Sequence, residues 1–120
     1  MNYAISPLDG RYSVLLNPLR KYFSEEALFE YRVKVEILYF QELCEKHVGG
    51  LSLTRKTNSL VSSIIQNFSA EDYARIKAIE KITNHDVKAV EYFIREKLES
   101  LGLRKFTEYV HFGLTSQDIN

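Results

Sequence analysis

Apolar positions recur at helical spacing through most of the chain. From Ser24 they form two stripes on one predicted helix: Leu28, Tyr31, Val35 and Leu38, and beside them Val33, Ile37, Phe40 and Cys44. Glu25 and Glu26 fall in its first turn, where acidic groups suit the helix dipole, and Gly49-Gly50 supplies a stop. A helix apolar on two sides is packed on two sides, so one stripe is expected against this domain and the other against something else. Leu60, Val61, Ile64, Ile65 and Phe68 mark a second helix. A third starts at Ser69, with Asp72 at capping-box spacing, and carries Tyr73, Ile76 and Ile79. A fourth opens at Thr83-Asn84-His85-Asp86, where Thr83 and Asp86 have the same spacing. It runs through Val87, Val90, Ile94, Leu98 and Leu101 to Gly102. Tyr109-Val110-His111-Phe112 is short and ambiguous, and no alternating run is long enough to read as a strand. The expected fold class is all-α.

The two ends read differently. SPLDGRY belongs to a turn-rich lead-in, with Pro7 fixing one backbone angle and Asp9-Gly10 signalling a turn. Thr115-Ser116-Gln117-Asp118 is a further capping-box pattern, so a helix is expected to begin there, yet the sequence stops at Asn120. Nucleating a helix is costly and one turn does not stand alone, so the expectation is a piece of a longer polypeptide.

Composition narrows the function classes. A chain of 120 residues suits one domain. Lys plus Arg equals Asp plus Glu at 16 each, which lacks the basic footprint of a nucleic-acid binder. No apolar run approaches the ~20 residues that span a bilayer, and MNYAISPLDGRY does not have the form of a signal peptide. A single cysteine, Cys44, cannot pair within the chain and suits a reducing compartment. The reading is a cytoplasmic protein with no nucleic-acid or membrane partner.

Three clusters can carry chemistry. Arg11 offers a fork of donors for phosphate or carboxylate, and Tyr12 adds a hydroxyl next to a permissive Gly10. Spacing alone favours a surface arginine and a tyrosine lid. Asn84-His85-Asp86 places a titratable imidazole in the first turn of a helix, beside N–H groups that attract an anion and disfavour an imidazolium. Read without other information, that histidine is either a ligand contact or a satisfied first-turn residue. Thr115 and Ser116 present hydroxyls and N–H groups at a helix start, where plain N-capping is the commoner use. His111 points at the same spot or is a half-buried histidine. Cys44 lies on an apolar stripe and reads as core, while His47 falls where it would meet a helix dipole. No metal-ligand spacing, P-loop or dinucleotide fingerprint is present.

Taken together, SPLDGRY, KITNHDVKAVEYF and EYVHFGLTSQDIN resemble, in matching order, the N-terminal region of the adenylosuccinate lyase family. The resemblance is to its bacterial-type branch, in the fumarase/aspartase superfamily. It implies an all-α subunit in which residues 1–112 form an N-terminal helical domain and 113–120 begin a central helical bundle. It implies a homotetramer whose active sites draw on several subunits. The implied reaction needs no cofactor or metal: β-elimination of fumarate from adenylosuccinate to give AMP, and from SAICAR to give AICAR. By this likeness Arg11 and Tyr12 hold the nucleotide phosphate, and Asn84, His85 and Asp86 contact and orient the substrate. Thr115 and Ser116 bind the succinyl carboxylates, and His111 lines the site as a weaker carry-over. The family's acid histidine and base serine fall in later segments, so no catalytic residue is expected within these 120 positions and the piece alone is expected to be inactive. Two rivals are another superfamily member, such as argininosuccinate lyase or a cycloisomerase, and a non-catalytic helical interaction module. DGRY with NHDVKAVE argues against the first, and the unfinished capping box against the second.

Overall fold

The computed structural model describes residues 3–120; Met1 and Asn2, the first two residues of the predicted lead-in, lie outside them. Every regular element among the described residues is helical. After a lead-in of turns come α1 (Arg20–Phe23), α2 (Glu25–Glu45), α3 (Arg55–Gln66), α4 (Ala70–Thr83), α5 (Asp86–Ser100) and α6 (Ser116–Ile119). Three 3-10 turns, Asn17–Leu19, Val48–Gly50 and Arg104–Tyr109, join them. No helix among the described residues is long and apolar enough to cross a membrane.

The core forms around α2, because that helix presents Phe29, Val33, Ile37, Phe40 and Cys44 to three other helices at once. They meet Val61 and Ile64 of α3, Ile76 and Ile79 of α4, and Val90, Phe93, Ile94 and Leu98 of α5. Aromatic rings close its margins edge-on, Phe40 against Phe106 and Phe68 against Phe93, each pair with centroids 6.2 Å apart. Burial raises the Cys44 thiol, consistent with a core residue and not a nucleophile. The second stripe of α2, Leu28, Tyr31, Val35 and Leu38, stays 43–50 % exposed.

Helix starts follow the caps written in the sequence. The Ser24 hydroxyl accepts the Ala27 N–H at 3.1 Å, and Thr54 does the same for Thr57. The Asp72 carboxylate accepts the Ser69 N–H at 3.1 Å, completing the predicted capping box.

Helix ends depart from the reading in two places. First, α2 stops at Glu45 and not at the glycine pair. His47 takes the left-handed region at φ 55°, and its ring donates to the Leu51 carbonyl at 3.1 Å. The glycines build a separate turn in which Gly49, at φ 62°, leaves only 3.0 Å between a would-be Cβ and the Tyr109 ring. Second, Thr83 is not a cap but the last residue of α4. Asn84 ends that helix at φ 53°, a conformation its short polar side chain tolerates, and the cap of α5 moves to His85. The ambiguous Tyr109–Phe112 segment forms no strand: a 3-10 turn runs into His111 at φ 64°, which bends the chain back toward α2.

A cavity test separates the two stripes of α2. Ile37→Ala should cost about 2–5 kcal/mol, and Val35→Ala about 0.5 kcal/mol or less. Urea unfolding of the 120-residue chain, followed by circular dichroism, measures both; equal costs would mean the two stripes are packed alike.

Candidate functional site

The start of α5 and the start of α6 converge on one cleft of about 480 Å³. His85, Val87, Lys88 and Glu91 line it from α5, and His111, Leu114, Thr115 and Ser116 from the segment that leads into α6. Four of the residues singled out from sequence therefore share a site: His85, His111, Thr115 and Ser116. Asn84 and Asp86, on either side of His85, do not line it. Arg11 lines a different recess, with Ser6, Pro7 and Gly10. Tyr12 is half-exposed, its N–H bound to the Pro7 carbonyl at 3.0 Å and its ring 5.8 Å from the Arg11 guanidinium.

Backbone geometry fixes what each side chain can offer. His85 is the N-cap of α5 and not a first-turn residue; its Nδ1 accepts the Lys88 N–H at 3.1 Å. A nitrogen that accepts carries no proton, so in the neutral ring the proton is on Nε2, which lies 3.4 Å from the Ser116 hydroxyl. The Val87 N–H is taken by the Asp86 carboxylate at 2.9 Å. The anion-attracting helix end expected from the sequence is thus filled by the chain's own side chains. Thr115 is committed too, since its N–H and its hydroxyl both donate to Asp118, at 2.8 and 3.1 Å. Those bonds hold the Asp118 carboxyl below its ordinary range. Ser116 keeps the freer hydroxyl of the pair.

Sequence reading missed two residues that organise this cleft, Arg32 and Glu36. The Arg32 guanidinium is buried, bonded to Asp86 at 2.9 Å and to the Asn120 side-chain carbonyl at 2.6 Å. It also lies 5.2 Å from the centre of the Phe29 ring. One turn further along α2, Glu36 binds Nδ1 of His111. One turn beyond that, the Tyr39 hydroxyl donates to the Phe112 carbonyl at 2.7 Å. The available signal was two charged residues, four apart, inside the stripe that holds Val33 and Ile37. A charge on a buried face needs a partner, and the partners, Asp86 and Asn120 for Arg32 and His111 for Glu36, all lie more than 50 positions away in sequence. Among the described residues no group of three or more His, Cys, Asp or Glu side chains is placed to hold a metal ion.

Comparison with known proteins decides the family. A model of a family described as lyase matches residues 10–120. The chain belongs to that lyase family. Its relatives include three proteins named adenylosuccinate lyase, from Haemophilus influenzae (46 % identical over 120 residues), Dictyostelium discoideum (50 % over 122) and Escherichia coli strain K12 (44 % over 122). Each alignment covers 98 % of this chain and 26 % of the relative, so the chain spans about a quarter of the length of the curated relatives it matches. The all-helical fold agrees with what the resemblance implied.

In this lyase chain the Arg32–Asp86 contact has a pH signature. Burial alone would raise the Asp86 carboxyl; the Val87 N–H and the Arg32 guanidinium outweigh it and hold the group below its ordinary 3.8. The unfolded chain then binds more protons just below pH 3.8, so this stability is complete above that value and fades as the pH falls through the folded-state pKa. Asp86→Asn should therefore destabilise the chain at pH 6, with a difference that shrinks below pH 3.8. Urea unfolding at several pH values checks it; a pH-independent difference would remove the ion pair from the account.

Proposed function

We propose that this chain is the N-terminal part of an adenylosuccinate lyase, which eliminates fumarate from adenylosuccinate to give AMP and from SAICAR to give AICAR. The observation that carries the reading is the meeting in one cleft of His85, from NHD, with Thr115 and Ser116, from TSQD, His85 Nε2 lying against the Ser116 hydroxyl. The substrate carries a phosphate and two carboxylates, so its site needs donors at separated points. Ser116, His85 and Lys88 offer three of them at the cleft, where they suit the succinyl carboxylates, and His111 lines the wall beside them. Removing a proton next to a carboxylate builds negative charge, and donors already aimed at that position stabilise it without reorganising. Asn84 and Asp86 act by orienting His85, one ending α4 and the other tying α5 to Arg32.

Arg11 and Tyr12 take the nucleotide phosphate in this reading. Their recess is separate from the cleft, which suits a tetramer whose active sites draw residues from several subunits. The half-exposed stripe of Leu28, Tyr31, Val35 and Leu38 supports the same view: such a row is covered when the rest of a helical subunit is present. Residues 1–112 then form the N-terminal domain and 113–120 open the central bundle. The acid histidine and the base serine come from later segments, in the cytoplasm and with no cofactor or metal.

The test uses the protein made from the intact gene. It should run as four subunits by light scattering and release fumarate from adenylosuccinate, while the 120-residue chain alone should show no turnover above buffer. His85→Ala and Ser116→Ala in the intact protein should each lower kcat/KM by roughly a hundredfold or more. No fumarate from the intact wild-type protein would overturn the reading, and turnover by the short chain would overturn its division of labour.

A further inference from the structure

Glu36 is only 1 % exposed, on the face of α2 that packs the core, and one of its oxygens, Oε2, has no hydrogen-bond partner. Its other oxygen meets Nδ1 of His111. Burying a carboxylate is costly, and apolar residues of similar volume often replace buried ionic groups at no loss of stability. Position 36 sits between Val33 and Ile37 on α2 and next to the core, so packing by itself calls for a leucine there. A charged group in such a place needs a reason other than packing.

The reason lies in the ring it holds. We propose that Glu36 is a positioning residue of the cleft: its carboxylate accepts the Nδ1 proton of His111 and leaves the lone pair of Nε2 for the cleft. The left-handed backbone of His111, at φ 64°, and the Tyr39 bond to the next residue's carbonyl fix the ring from the other side. His85 has the opposite arrangement, because its Nδ1 accepts a backbone N–H and its proton is on Nε2. The cleft thus holds one imidazole that donates and one that accepts, each set by what its Nδ1 touches. Burial, with Glu91 adding to it, raises the Glu36 carboxyl above its ordinary range; the His111 contact acts the other way and is what favours the ionised acceptor. The inference deepens the lyase reading of this cleft and rests on it.

Nitrogen-15 NMR of histidine-labelled intact protein reads the tautomers of His111 and His85 directly, and Glu36→Leu tests their cause. In the wild type, His111 should carry its proton on Nδ1 and His85 on Nε2. Glu36→Leu should remove the His111 preference, leave His85 unchanged, and lower kcat/KM for adenylosuccinate by roughly ten- to hundredfold with Tm held or raised. A wild-type His111 with its proton on Nε2 overturns the proposal before any variant is made. So does a Glu36→Leu protein with lower Tm but unchanged kcat/KM per folded molecule. Absence of turnover in the wild type is a different result, and it sinks the lyase reading instead.

Discussion

A buried arginine on the central helix decides where the two halves of the cleft meet. Arg32 reaches the first residue of α5 through Asp86 and the last residue of the chain through Asn120. The start of α5 and the end of α6 are held to a common point, and His85 and Ser116, some 30 residues apart in sequence, meet beside it. Its guanidinium suits the task because a planar fork serves two acceptors in fixed directions, which the single point charge of a lysine does not. The charge itself is costly to bury, and its Nε has no partner. The pair with half-exposed Asp86 offsets only part of that cost, so Arg32 specifies an arrangement more than it adds stability.

Much of the fold was legible because it is written locally. Ser24, Thr54, Ser69 and Thr115 sit at helix starts where a short side-chain oxygen satisfies an orphan N–H, or where an acid three residues on reaches back. The apolar stripe through Val33, Ile37, Phe40 and Cys44 is the core, as its period implied. The misreadings fall where one residue in the left-handed region ends an element. Asn84 and His47 stop helices that their neighbours would have continued, and His111 turns a segment whose letters were equally compatible with a strand. Nothing in a local window separates an asparagine that caps a helix from one that opens the next.

The site was half legible for a related reason. His85, Thr115 and Ser116 stood out by residue type at helix starts and His111 on a short ambiguous segment, and the four converge. Arg32 and Glu36 did not stand out, since two opposite charges four apart on a helix read as a solvated pair. They avoid each other and bind residues 88 and 75 positions further along the chain. Only the three-dimensional path, with the bend at His111 bringing the chain back over α2, turns that row from a surface feature into a buried one.

One consequence concerns how such a cleft can recognise charge. Some of the backbone N–H groups near the two helix starts are already taken, Val87 by Asp86, Lys88 by His85, and Thr115 by Asp118. The side chains that line the cleft add the Ser116 hydroxyl and two imidazoles, with Lys88 beside them but 3.5 Å from the buried Glu91. Side-chain donors have no fixed direction of their own, so their aim depends on the residues behind them. At His85 that backing is the backbone, through the Lys88 N–H. At His111 it is a single buried carboxylate on α2, and Arg32 ties the start of α5 to the end of α6. The placement of the cleft's side chains therefore depends on a row of three polar residues, Arg32, Glu36 and Tyr39, none of which lines it.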